Sequence, residues 1–143
     1  MSAKAPARPA LTLTNLVAAT FTPFRADGSV HLARIKPVID RVLAQGVSGL
    51  YVCGSTGEGP LLTTEERKAV ALAHVKAARG RVPVVIQVGH NSPMDARALA
   101  AHAQQIGADA ISATPPGYFK PDTLEDLIKV LAQIAGGAPK LPF

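Results

Sequence analysis

Tryptophan is absent from this sequence, cysteine occurs once, and aromatic residues make up only 4% of the chain. The lone thiol, Cys53, excludes an internal disulfide framework and supplies no cysteine-based metal cluster, so no metal is expected. Charged residues are scarce too, at 17%, while 48% of the 143 residues are hydrophobic. That balance excludes a disordered chain and fits one core-forming domain. With few aromatics and many Ala and Val, the core must be built from small side chains, which suits layered helices and strands better than a β-sandwich. No apolar run approaches the roughly 20 residues of a membrane span. The basic opening, Met1 to Ala10, is followed by Leu11-Thr12-Leu13-Thr14-Asn15, too broken by polar residues for a secretory signal. Residues 1–14 therefore read as a flexible leader and 15–143 as the folded part of a cytoplasmic protein.

The formal charge of +5 would suggest nucleic acid if it were concentrated. Lys4 and Arg8 lie in the Pro/Ala-rich leader, and the other basic residues are spread over predicted helices without a basic stripe or interleaved aromatics. Neither nucleic acid nor membrane is expected as a partner.

Four segments carry helical spacing, and each runs to a glycine able to close a helix in the left-handed conformation: Gly46, Gly80, Gly107 and Gly136. Leu32, Ile35, Ile39, Val42 and Leu43 share one face of the first, where Pro37 predicts a late start or a kink. Thr63-Thr64-Glu65-Glu66 has the form of a capping box for the second. Ser92-Pro93-Met94-Asp95 and Thr123-Leu124-Glu125-Asp126 are similar openings for the third and fourth. Between them lie four short apolar runs, 16–20, 49–53, 83–88 and 109–113, which read as strands buried on both faces. Strands alternating with helices predict βαβ units, a parallel sheet in the order 1-2-3-4 and right-handed crossovers. The closing glycines recur about every 30 residues, and eight such units would make the roughly 250 residues of a closed (β/α)₈ barrel. The sequence holds four. Its last residues, Ala138-Pro139-Lys140-Leu141-Pro142-Phe143, resemble the run Gly80-Arg81-Val82-Pro83-Val84 that leads into the third strand, so a fifth strand is expected to begin there, with a frayed tail after the fourth helix as the plain alternative.

Chemistry concentrates in Cys53-Gly54-Ser55-Thr56-Gly57-Glu58-Gly59, between the second strand and the second helix, at the end of a barrel that carries catalytic loops. Glycines that turn the backbone around two hydroxyls can converge amides on a small carboxylate or phosphate. A ligand-free glycine turn is the plain alternative. A Walker-type phosphate loop is excluded because Gly57 is followed by Glu58 rather than Lys, and the dinucleotide fingerprint fails on glycine spacing and on strand order. Glu58 reads as a carboxylate favoured by a helix entrance, and Tyr51 and Cys53 as barrel filling. His90 and Asn91, after the third strand, face the same end.

The loop Gly54-Ser55-Thr56-Gly57-Glu58 resembles the signature of the N-acetylneuraminate lyase and dihydrodipicolinate synthase family of pyruvate-dependent aldolases. Ala19-Thr20-Phe21-Thr22-Pro23-Phe24 with Asp27-Gly28-Ser29-Val30, and Pro116-Gly117-Tyr118-Phe119-Lys120-Pro121, are similar to two further family segments in the same order. The resemblance implies a (β/α)₈ barrel of which this chain holds the first four βα units. It implies that Gly54, Ser55 and Thr56 bind the pyruvate carboxylate, that Ser55 joins a proton relay, and that Tyr118 reaches a neighbouring subunit's site. It also implies a homo-oligomer, a tetramer or dimer of dimers, that uses no cofactor. The family's Schiff-base lysine lies on the sixth strand and a proton-shuttling tyrosine on the fifth, so neither has a counterpart in these 143 residues. Lys140 precedes the fifth strand at the opposite end of the barrel. The lysines on predicted helices, Lys36, Lys68, Lys76 and Lys129, are expected to be solvated on the outer ring. The substrates implied are pyruvate with an aldehyde or a sugar acid. The Ser-containing loop and the Phe119-Lys120-Pro121 run look more like the sugar-acid lyases, with other 2-keto-3-deoxy sugar acid aldolases within the same reading. From a different class comes the alternative of a non-catalytic half-barrel that binds small anions or a partner chain.

Overall fold

A computed structural model describes residue 11 and residues 13–143; most of the expected leader lies outside the described residues. Strand β1 (Val17–Ala19) is followed by helix α1 (Ile35–Leu43), β2 (Gly49–Val52) by α2 (Thr64–Ala78), β3 (Val84–Gln87) by α3 (Pro93–Gln105), and β4 (Ala110–Ser112) by α4 (Leu124–Ala135). Short 3₁₀ turns at Leu32–Arg34 and Gly59–Leu61 precede α1 and α2. The sheet runs β1-β2-β3-β4 with every pair parallel. Val17 pairs with Gly49, Leu50 with Val84 and Val85 with Ala110. These are four βα units of a (β/α)₈ barrel.

The helix openings follow local chemistry. Thr63 accepts from the Glu66 amide while the Glu66 carboxylate takes the Thr63 amide, a complete capping box. Ser92 caps α3 through the Asp95 amide, and Thr123 caps α4 through that of Asp126. Pro37 falls in the first turn of α1, where its missing N–H costs no helical bond, so the outcome is a late start.

Gly46, Gly80 and Gly107 take left-handed conformations, with φ of 82°, 70° and 83°. Gly136 does not: it stays right-handed at φ −61°. Its N–H still bonds to the Ala132 carbonyl, and Gly137 and Ala138 continue the turn onto Ile134 and Ala135. The chain therefore leaves α4 through further right-handed turns rather than through a left-handed glycine.

The core lies between sheet and helices. Leu50, Val52, Val84, Ile86, Val88 and Ile111 meet Ile35, Ile39, Val70, Leu99 and Ile134, all buried, and each such side chain contributes about 1.5 to 3 kcal/mol by leaving water. Ala71, Ala77, Ala78, Ala96, Ala100 and Ala103 are buried as well, which lets neighbouring helices approach closely. Burial is uneven across the sheet. β3 is buried throughout, whereas β1 is partly exposed and ends at an exposed Ala19. The expectation of four strands buried on both faces fails at β1 because it has only β2 as a neighbour. On the far side, the Ile111 amide donates to the Pro142 carbonyl at 3.0 Å, much as the Leu50 amide donates to Pro83 at 2.9 Å. Pro142 thus lies beside β4 as Pro83, at the head of β3, lies beside β2.

Candidate active site

Because the strands are parallel, the segments following β1, β2, β3 and β4 gather at one end of the sheet. The 53–59 loop is held by its own backbone: the Gly57 and Gly59 amides both donate to the Gly54 carbonyl at 3.1 Å, and the Glu58 amide to that of Ser55 at 3.0 Å. From the segment after β1, the Thr22 hydroxyl donates to the Gly57 carbonyl at 2.7 Å. Close approach dictates the glycines. A Cβ at Gly59 would lie 1.9 Å from the Cys53 carbonyl oxygen, and one at Gly57 would lie 2.8 Å from that of Thr20. Two non-glycine residues, Cys53 and Glu58, take positive φ of 60° and 54°, strain that the surrounding contacts must hold in place.

Ser55 and Thr56 are exposed at the crest of this loop. Among the described residues, neither their amides nor their hydroxyls have a hydrogen-bond partner. Helix capping does not consume them, because α2 takes its cap from Thr63. Glu58 departs from its expected capping part. It precedes the three-residue 3₁₀ turn, its side chain makes no capping bond, and the Thr63/Glu66 pair already occupies the start of α2. The Tyr51 ring lies beneath Gly54, where a Cβ would come 2.6 Å from its Cε1, and its hydroxyl lies 3.2 Å from the Ser112 hydroxyl of β4. Cys53 is buried, and burial pushes its thiol up to about 11.

A cleft of about 730 Å³ opens beside the loop rather than over it. Arg67, Gln87, His90, Asn91 and Lys120 line it; Gly54, Ser55, Thr56 and Tyr118 do not. Arg67 is 2% exposed. Its Nη1 donates to the Gly89 carbonyl at 2.8 Å, and its Nη2 to the Gln87 carbonyl and to Gln87 Oε1, both at 2.7 Å. Desolvation pulls the guanidinium down from its ordinary value, and its buried Nε has no partner. Gln87 passes the connection on, Nε2 donating to Thr114 Oγ1 at 3.0 Å. His90 Nδ1 accepts from the Ser92 amide at 3.0 Å. Asn91 Oδ1 accepts from the amides of Gly117 and Tyr118 at 2.9 and 3.3 Å. Tyr118 itself is 81% exposed, its ring edge-on to Phe119 at 4.8 Å between centroids. No hydrogen bond joins it to Ser55 or Thr56 among the described residues.

The Arg67 network escaped sequence reasoning because Glu65-Glu66-Arg67-Lys68 reads as a solvated charge run. A signal existed: Arg67, Val70, Ala71, His74, Ala77 and Ala78 share the buried face of α2 at helical spacing. The helix lysines lie on the outer surface: Lys36 pairs with Asp40, Lys68 with Glu65 at 2.6 Å and Lys129 with Glu125 at 2.7 Å. Lys68 is half-buried rather than solvated. No group of three metal-ligating side chains occurs among the described residues, and none of their helices is long and apolar enough to cross a membrane.

The profile of the Dihydrodipicolinate synthetase family matches residues 12–143. The chain belongs to this family. It is 43% identical over 133 residues to N-acetylneuraminate lyase A of Xenopus laevis, covering 92% of this chain and 44% of that protein. Its fold superposes on the solved N-acetylneuraminate lyase of Proteus mirabilis with a TM-score of 0.88 and 40% identity, over 90% of this chain and 44% of that one. It also superposes on YagE, a prophage protein of the dihydrodipicolinic acid synthase family from E. coli K12 solved in complex with pyruvate, with a TM-score of 0.84 and 36% identity. That match covers 90% of this chain and 43% of YagE. The chain thus spans less than half the length of the relatives it matches.

Proposed function

We propose that this chain supplies the carboxylate-binding half of a pyruvate-dependent Schiff-base aldolase of the N-acetylneuraminate lyase type. The observation that carries the reading is the exposed pair Ser55 and Thr56, whose amides and hydroxyls have no hydrogen-bond partner among the described residues, in a loop fixed through the Gly54, Ser55 and Gly57 carbonyls. Their amides and hydroxyls are donors suited to an α-keto acid carboxylate, and the kinship with N-acetylneuraminate lyases at 43% and 40% identity favours a sugar acid as the cleaved substrate. In this reading a lysine amine condenses with the ketone of the sugar acid, releasing water. The resulting iminium accepts the electron pair of the carbon–carbon bond one carbon away as the neighbouring hydroxyl gives up its proton and an aldehyde leaves, and the remaining enamine is protonated and hydrolysed to pyruvate and the free lysine. By the family resemblance the lysine belongs to a later strand of the barrel, and Lys36, Lys68 and Lys129 are held by carboxylates on the outer surface. Ser55 passes protons to the reacting centre, and Tyr118 completes that relay from a neighbouring copy. The assembly is a cytoplasmic homo-oligomer that needs no cofactor.

Pyruvate binding tests the reading in the protein expressed from its complete reading frame. Thr56→Val removes a hydroxyl while keeping the shape, and a hydrogen bond to a charged group is worth about 1.5 to 3 kcal/mol, so Kd for pyruvate should rise roughly 10- to 100-fold. Unchanged affinity by calorimetry would overturn the carboxylate site. Borohydride trapping with pyruvate should label one lysine in that protein and none of Lys36, Lys68, Lys129 or Lys140.

A further inference from the structure

After β4 the chain runs Thr114-Pro115-Pro116-Gly117-Tyr118. Two prolines bring no N–H to this stretch, so Gly117 and Tyr118 offer its first backbone donors after Thr114. One oxygen takes both: Asn91 Oδ1, at 2.9 and 3.3 Å. Since both partners are donors, the side-chain oxygen rather than the nitrogen must face them.

Asn91 is itself held from both sides. Upstream, the buried guanidinium of Arg67 grips the carbonyls of Gln87 and Gly89. Downstream, Ser92 donates its amide to His90 Nδ1 and caps α3 through the Asp95 amide. A second tie, Gln87 Nε2 to Thr114 Oγ1, fixes the start of the tyrosine loop against β3. The Tyr118 side chain, by contrast, is largely exposed, and its ring contact is with Phe119, the next residue along. Its direction therefore depends on where its backbone is clamped, and the clamp is Asn91.

We infer that Asn91 is a positioning residue for Tyr118, setting the phenol's place through the Gly117 and Tyr118 amides. The inference rests on the proposed role of Tyr118 in proton transfer. A small displacement of a reacting group costs much in rate and little in substrate affinity.

Asn91→Ala, Asn91→Asp and Tyr118→Phe would be compared in the protein expressed from its complete reading frame. Amide hydrogen exchange at Gly117 and Tyr118 is read by NMR, and pyruvate release from N-acetylneuraminate gives kcat and KM. Asn91→Ala should speed exchange at both amides about tenfold and lower kcat about 10- to 100-fold, with KM within about twofold. Asn91→Asp keeps the accepting oxygen and should restore most of both; it also serves as the interpretable variant if Asn91→Ala does not fold. Unchanged exchange in Asn91→Ala would overturn the clamp. Faster exchange with an unchanged kcat, while Tyr118→Phe is slow, would overturn the positioning role but leave the function of Tyr118 standing. A Tyr118→Phe variant with the wild-type rate would overturn the catalytic assignment of Tyr118, and the positioning role with it.

Discussion

Arg67 Nη2 lies 2.7 Å from both the carbonyl and the side-chain oxygen of Gln87, so a guanidinium 2% exposed meets neutral acceptors at its Nη atoms while its Nε has no partner. The planar fork lets one side chain from α2 bridge the end of β3 and the turn that follows it.

Arg67→Lys is accordingly expected to destabilise the protein by about 2 kcal/mol, because a compact ammonium cannot reproduce the forked set of contacts and leaves buried carbonyls short of donors. Urea unfolding checks this. A change smaller than about 0.5 kcal/mol, the level of an ordinary surface substitution, would mean that the network is dispensable.

His74 carries a pH dependence. Its Nδ1 lies 2.9 Å from the Val70 carbonyl, its buried Nε2 has no partner, and burial lowers its pKa below the ordinary 6.5. The unfolded chain binds the proton first as pH falls, so this residue's contribution is intact above about 6.5 and declines below it. The slope cannot exceed about 1.4 kcal/mol per pH unit. Thermal unfolding followed from about pH 8 to about pH 5 should show a loss that His74→Leu, which cannot titrate, largely removes. Identical profiles for the two proteins would refute the assignment.

Gly59→Ala and Gly80→Ala separate two reasons for glycine. At Gly80 the φ is +70° but nothing lies within 4 Å of an added methyl, so the cost should be about 1 kcal/mol. At Gly59 the methyl would meet the Cys53 carbonyl at 1.9 Å, and only backbone movement in the 53–59 loop can relieve that. Gly59→Ala should cost more than about 2 kcal/mol and weaken pyruvate binding as well, whereas Gly80→Ala should leave binding unchanged. The reverse order of stabilities would contradict the packing described for the loop.

The helix caps and strand–helix alternation were legible because each is written within a few consecutive residues: Thr63 and Glu66 satisfy each other across a single turn. The same locality misled at Gly136, which looks like the other three closing glycines but stays right-handed as the chain turns on toward Pro142. It misled again at Glu58, whose expected place at a helix entrance was taken by a better-spaced pair. Arg67 was hidden for a related reason. Its neighbours Glu66 and Lys68 are charged and half-buried, and the packing of α2 against β3 turns Arg67 fully inward.

What the sequence by itself determined is the order of elements, their caps, the parallel barrel half and the glycine-bracketed Ser55-Thr56 pair, since these depend on propensities and periodicities acting over short spans. Tertiary structure alone decided which polar groups meet. Asn91 is separated from Gly117 by 26 residues and Arg67 from Gly89 by 22, and nothing in either local segment specifies its partner. Those contacts exist because adjacent parallel strands deliver their following loops to the same end of the sheet, where side chains distant in sequence compete for the few unpaired backbone groups.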